Sequence, residues 1–155
     1  MKHDESALVK QALEDARQQL KRSGRILPGA YMLVANNPQT GAPLTYPTAI
    51  GSVRDAPFKS QAEYDEFLAM LRAEVVRLAA AAVALTGEAQ AEVETKNGVE
   101  KRRVFYLRIE DRDGVEQLHA PITTSNDGQG HAQLGSLLAD AGAADILSAP
   151  LLPKS

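Results

Sequence analysis

The spacing of apolar residues along the chain predicts three helices and two groups of strands. Over residues 5–23 the apolar positions recur every three or four residues, as they do on one face of a helix. These positions are Leu8, Ala12, Leu13, Ala16 and Leu20. Lys21 and Arg22 precede Gly24, an order typical of a helix end. Since much of the stripe is alanine, we expect this helix to pack against another element.

A second, longer helix is predicted to begin at Ser60. Ser60 and Glu63 match the capping box, in which each side chain bonds the other residue's backbone amide. The main apolar stripe is Tyr64, Phe67, Leu68, Leu71, Val75, Leu78, Ala79 and Ala82. A second flank carries only small or branched apolar residues, namely Ala69, Ala73, Val76, Ala80 and Val83. Nothing charged lies between Leu78 and Thr86, which indicates that the helix leads into a buried strand.

The segment between the two helices is predicted to be a β-hairpin. Residues 30–35 are a continuous apolar run of strand length, and residues 36–41 are rich in turn formers. The returning strand, from Leu44 to Ile50, contains Pro47. Because proline donates no backbone hydrogen bond, this strand is predicted to lie at an edge of the sheet.

Two turn signals divide the second half of the chain into a three-stranded meander. Asn97-Gly98 and Asp113-Gly114 are dipeptides typical of two-residue hairpin turns. With each dipeptide at the centre of its turn, Glu94 faces Lys101 in the first hairpin, and the second hairpin places six apolar side chains on one core face. These are Phe105, Leu107, Ile109, Leu118, Ala120 and Ile122.

The same register assigns the remaining meander residues to solvent. Arg108 faces His119 on the solvent side, so we expect truncation of Arg108 to change the stability little. The first hairpin would place Glu92 and Glu94 on the core face. A β-bulge near Arg102–Val104 is expected to resolve this conflict.

The predicted fold is a single α+β domain over residues 1–155, with mobile ends at about 1–4 and 149–155. The element order is α-β-β-α-β-β-β-α, with a mostly antiparallel sheet of about five strands and the helices covering one face. Its last helix runs from Ala132 to Ala141 and is stopped by Gly142, after a polar loop over residues 123–130. Residues 149–153 are expected to be an extended tail, frayed or held by a neighbour.

Composition narrows the class of protein. The chain is 44% hydrophobic and 24% charged with a net charge of −3, which is typical of a globular domain rather than a disordered chain. It has no apolar stretch long enough for a membrane span and no signal-peptide pattern, so we expect a cytoplasmic protein. The absence of cysteine excludes disulfides and thiolate metal sites. The 25 alanines are typical of GC-rich bacterial genomes.

Histidine and carboxylate positions give weak signals for catalysis. His3, His119 and His131 lack a second ligand at the spacing that zinc sites use, so no metal or other cofactor is expected. Glu88 is the one acidic residue in an otherwise uncharged stretch, where burial could raise its pKa. One alternative is therefore a small enzyme or ligand-binding protein that uses Glu88 and His119 near the sheet.

Three further motifs match known patterns only in part. The loop 127–131 is rich in glycine but lacks the phosphate-binding lysine. Glu94-Thr95-Lys96 fits the bare E-x-K of nuclease metal sites, with only Asp55 available as the upstream acid. Lys101, Arg102 and Arg103 precede two aromatic residues, as in a weak nucleic-acid binder, but nearby glutamates neutralise them, so nucleic acid is not the expected partner.

The leading hypothesis is a small, non-catalytic accessory or protein-interaction module that self-associates, most simply as a two-fold homodimer. Another protein is the alternative partner. A copy could meet the edge strand, the Leu151-Leu152 tail or the small-residue flank of the second helix. The first helix is the competing, intramolecular cover for that flank.

Overall fold

An antiparallel sheet forms the frame of the protein in the computed structural model, which describes residues 5–124, 132–140 and 144–153. Two helices and seven strands lie in these ranges. They are α1 (Glu5–Ser23), β1 (Gly29–Asn36), β2 (Pro43–Val53), α2 (Gln61–Arg77), β3 (Ala82–Thr95), β4 (Gly98–Asp111), β5 (Gly114–Thr124), β6 (Ala132–Leu134) and β7 (Leu138–Ala139). The α+β class is confirmed, but the sheet has more strands than the predicted five.

The strands lie in the spatial order β2-β1-β3-β4-β5-β6, and β7 also pairs with β5. β2 is an edge strand, as Pro47 predicted. After β2 the chain passes through α2 and returns as β3 on the other side of β1, antiparallel to it. This return joins the first hairpin to the meander, a connection for which the sequence carried no signal.

The helices lie on opposite faces of the sheet, so the prediction that both cover one face is wrong. Along β1, Tyr31 and Leu33 pack with α1, whereas Met32 and Val34 pack with α2. Strands buried on both faces are apolar without interruption, which explains the run in β1. α1 contacts both β2 and β6, which a flat sheet would hold about 24 Å apart. The sheet therefore curls around α1.

α2 is shorter than its apolar stripe suggested. It ends at Arg77, and Ala79 takes a positive φ of 51° just beyond it, so Leu78 and Ala79 lie in the connection to β3, and Ala82 is the first residue of β3. The predicted cap is confirmed for Ser60, whose hydroxyl accepts the amide of Glu63 at 3.1 Å. The Glu63 carboxylate pairs with Arg54.

Both meander turns differ from the predicted type. Gly98 and Gly114 have φ values of 107° and 141°, whereas Asn97 and Asp113 do not take a positive φ. A type I′ turn needs a positive φ at both central residues. Each glycine is instead the first residue of the next strand, and the turn centre moves back by one position.

The change of turn shifts the register of each hairpin by two residues. Glu92 pairs with Lys101, and Phe105 pairs with Ala120 rather than Ile122. A shift of two leaves every side chain on its predicted face, because side chains alternate with a period of two. The six predicted core residues are accordingly all buried.

No bulge interrupts the pairing of β3 with β4, so the bulge predicted near Arg102–Val104 is wrong. The register runs unbroken from Val83 opposite Glu110 to Thr95 opposite Gly98. The outer half of this ribbon extends beyond the covered part of the sheet. Glu92 lies there on the same side as the core residues but is exposed to solvent, so no bulge is needed to turn its side chain away from the core.

The helix predicted over Ala132–Ala141 is also wrong. Its described part forms β6 and β7, while Ala141, Gly142 and the loop residues 125–131 lie outside the described residues. Leu134 and Leu137 pack against the α1-side core, but Leu138 is 54% exposed. The leucines thus do not share one face, and the short strands satisfy backbone groups along β5.

We expect Leu107→Ala to lower the free energy of unfolding by about 2–5 kcal/mol, because it leaves a cavity in the α1-side core, where Leu107 is 1% exposed. Val99→Ala, at a 63% exposed position of the same strand, is the matched control and should change it by less than about 0.5 kcal/mol. Urea unfolding that gives equal losses for the two variants would contradict the assigned faces.

Candidate functional site

A buried ion-pair network joins β4 to the C-terminal segment, which comprises residues 144–153. Arg108 and Glu110 lie two positions apart on β4, so both side chains point to the α2 face. They are only 1% and 4% exposed. Arg108 donates to both carboxylate oxygens of Asp145 at 2.7 and 2.8 Å and to Glu110 at 2.9 Å. This two-point pairing fixes the position of Asp145.

Glu110 holds the far end of the C-terminal segment. Its carboxylate accepts the backbone amides of Leu151 at 3.0 Å and Leu152 at 2.8 Å. Leu151 is thereby buried in the α2-side core. Arg72 on α2 donates to the carbonyl oxygens of Ala149 and Pro150. The tail is therefore held by the chain's own charged groups and covers part of the sheet.

The network is not evident from the sequence, and the prediction that Arg108 lies in solvent is wrong. Arg108 lies opposite Gln117 rather than His119. Alternating charged and apolar residues on β4 are typical of a strand with one solvent-exposed face. In this protein that face is buried, because the C-terminal segment covers it. The signal available in the sequence was the apolar tail, which needed a surface to cover.

The charges of the network stabilise one another. Hydrogen bonds from Arg108, set against partial burial, hold the pKa of Asp145 below its usual range. Burial disfavours the charged guanidinium, but the bonds to Asp145 and Glu110 outweigh it and raise the pKa of Arg108. Burial, with the nearby Tyr64, raises the pKa of Tyr106 to about 12. At neutral pH Arg108 and Asp145 are therefore charged and Tyr106 is neutral.

Glu88 joins β3 to the connection between α1 and β1. Its carboxylate accepts two bonds from Arg103, at 2.7 and 2.9 Å, and one from the amide of Ile26. Arg103 also donates to the carbonyl of Gly24. Partial burial would raise the pKa of Glu88, but these bonds outweigh it and lower the pKa. A general acid needs the opposite shift.

The structure does not bring Glu88 and His119 together. Glu88 lies opposite Phe105, which lies opposite Ala120, so these three share the α1 face. His119 is adjacent to Ala120 and points to the other face, where its Nδ1 contacts Asp140. A site that used both Glu88 and His119 would have to span the thickness of the sheet.

The three adjacent cations of β4 do not form one free basic patch. Arg103 is bound by Glu88, and Arg102 lies 3.5 Å from Glu100. Lys101 lies opposite Glu92 on β3. Each cation thus has an acidic residue as partner or neighbour, as the local sequence suggested.

The other candidate motifs are scattered or fall outside the described ranges. Glu94 lies on β3 eight residues, or about 27 Å, beyond Thr86, whereas Asp55 follows the end of β2 that is level with Thr86. His3, His131 and the loop 127–131 are outside the described residues. Across the described ranges, no group of three or more histidine, aspartate or glutamate side chains is arranged to hold a metal ion.

The fold leaves the outer edge of β2 unpaired by any described strand. The amide of Arg54 donates inward to Pro28 at 2.9 Å. Since bonding directions alternate along an antiparallel strand, the backbone groups of Ala49, Gly51 and Val53 point outward. The 11 residues of β2 include no charged side chain. Lysines and other charges normally protect such edges from pairing.

A second uncovered surface is the outer face of α2. Ala69 and Ala73 are exposed there, and Met70 and Val76 are each 65% exposed. α1 cannot cover this flank, because it lies on the other face of the sheet. The two surfaces are thus separate, one on a helix and one at a strand edge.

Comparison with models of protein families, with curated proteins and with solved structures found no match. Within the described residues, neither helix is long and apolar enough to cross a membrane.

Replacing Arg108 by alanine should lower the free energy of unfolding by about 3–5 kcal/mol, because it leaves the buried Glu110 without its counter-charge. The matched control is Arg112→Ala, at an exposed position of the next turn, which should leave stability nearly unchanged. Chemical denaturation measures both. A loss for Arg108→Ala no larger than that of the control would show that the network carries no stability.

Acid should weaken the attachment of the C-terminal segment. The pKa of Asp145 is lower in the folded protein than its ordinary 3.8, so its stabilising effect is complete above pH 4 or so and is lost as the pH falls through the folded pKa. We expect Asp145→Asn to be less stable than the wild type at neutral pH and to lose less stability in acid. Parallel pH profiles for the two proteins would contradict the assignment.

Proposed function

We propose that this chain is a non-catalytic interaction module that acts by self-association. The observation that carries the proposal is the open, uncharged edge of β2. Unpaired backbone groups at Ala49, Gly51 and Val53 form a template for another strand. With Tyr46, 77% exposed on the same strand, the edge also offers apolar surface that pairing would bury.

The outer face of α2 gives a second surface for the same function. Its small side chains at Ala69 and Ala73 permit close approach of another helix. Glu66 lies toward the start of this face and Arg77 at its end. Arg77 is already paired with Glu74, so the contact would rest on the apolar side chains of this face.

The alternative functions have weaker support. A small enzyme that uses Glu88 and His119 would need both faces of the sheet. A nucleic-acid binder would need Arg103, which Glu88 and Gly24 already hold. A cytoplasmic location belongs to the proposal and is supported by the absence of cysteine, which suits a reducing compartment.

Light scattering of the purified protein at micromolar concentration should give twice the 16.6 kDa mass of one chain. Dilution should shift the mass toward one chain, since a dimer follows mass action. A mass of 16.6 kDa over a wide concentration range would refute self-association.

A further inference from the structure

We infer that two copies of this chain join edge to edge through β2, antiparallel to each other, about a two-fold axis at Ile50. This inference rests on the proposed function and adds the surface and the register. It makes one continuous sheet of the two copies, with the β2 strands side by side at its centre.

The register follows from the direction of the free backbone groups. Only outward-pointing residues of one copy can bond to outward-pointing residues of the other. With the axis at Ile50, Ala49 of each copy pairs with Gly51 of the other. In each pair, the N–H of one residue donates to the carbonyl of the other in both directions. Val53 then donates to the carbonyl of Pro47, which needs no amide for this bond. Pro47 offers no amide to the carbonyl of Val53 in return and lies where the pairing of β2 with β1 shifts register, so the regular pairing of the two copies runs from Thr48 to Ser52.

The side chains that meet in this register are compatible with one another. Ile50 faces its own copy, which forms an apolar pair on the α2 side of the sheet. Thr48 faces Ser52, so two small hydroxyl side chains oppose each other. Beyond Thr48 the pairing of β2 with β1 shifts register, so these opposed pairs are the regular core of the contact.

A second copy fits this edge for an electrostatic reason as well. An edge strand that carries charges would place like charges together when it pairs with itself, and such pairs are destabilising. β2 has no charged residue along its 11 positions, so self-pairing meets no such repulsion. The pairing is also closed, because the two-fold axis uses up the free edge of both copies.

Disulfide trapping tests the register directly, because the natural chain has no cysteine. In the double variant Thr48→Cys/Ser52→Cys, the thiol at position 48 of one copy faces the thiol at position 52 of the other copy. Directly opposed residues of this non-hydrogen-bonded type have Cα atoms about 4.5 Å apart, within the range of a disulfide. Mild oxidation should convert the double variant to a covalent dimer on a non-reducing gel.

The two single variants are the matched controls. Residues 48 and 52 are four positions apart on one strand, or about 13 Å, which is too far for a disulfide within one chain. The same spacing separates the two copies of residue 48 across the axis. Thr48→Cys alone and Ser52→Cys alone should therefore stay monomeric on the gel, and both positions are exposed, so folding is unaffected.

Charge variants distinguish this interface from the α2 face. Thr48→Lys/Ser52→Lys should raise the dimer dissociation constant at least tenfold, because four lysines meet at the axis, whereas Ala73→Glu should leave it unchanged. If Ala73→Glu separates the copies and the double cysteine variant is not trapped, the edge inference is overturned and self-association stands. If the wild-type protein stays at one chain's mass, both are overturned.

Discussion

The neutralisation of one buried cation is the interaction on which the α2 side of this protein depends. Arg108 is 1% exposed in the middle of a core-forming strand. An unpaired charge there would cost several kcal/mol. Asp145 and Glu110 neutralise it, and in doing so they position the C-terminal segment from both ends. Leu147 and Leu151 then complete the α2-side core. The apolar packing on this face therefore depends on the same ion pairs that neutralise Arg108.

Both faces of the central part of the sheet are covered, which leaves strand edges as its uncovered backbone. α1 lies inside the curl of the sheet on one side, while α2 and the C-terminal segment cover the other. At the far end of the sheet, β5 is paired by the short strands β6 and β7. Among the described strands, β2 has no partner along its outer edge, and residues 87–95 of β3 are paired only with β4.

The charged residues that invited a chemical interpretation are engaged in holding loops and strands. Glu88 and Arg103 attach the α1–β1 connection to β3. Arg72 and Glu110 bind backbone groups of the tail. In each case the charged group binds the main chain, and Glu88, Arg103 and Glu110 also bind a side chain. Such bonds organise irregular segments that have no strand or helix partner of their own.

The sequence by itself determined what depends on neighbouring residues. The end of α1, the Ser60 cap, the edge position of β2 and the inward faces of the meander all follow from periodicity, capping chemistry and proline. These features involve short separations along the chain, so the local pattern contains the needed information. The predicted faces of the meander side chains are correct although the predicted turn type is wrong, because a register shift of two residues leaves each side chain on the same face.

Only the tertiary structure decided how distant segments cover one another. Whether Arg108 is exposed to solvent or buried depends on Asp145, which lies 37 positions away in the sequence. Which face of the sheet each helix covers depends on how β3 returns beside β1. The strands at residues 132–139 form because the edge of β5 is available for pairing. Burial and pairing are properties of surfaces brought together from remote parts of the chain. A local pattern of charge or hydrophobicity is the same before and after that contact.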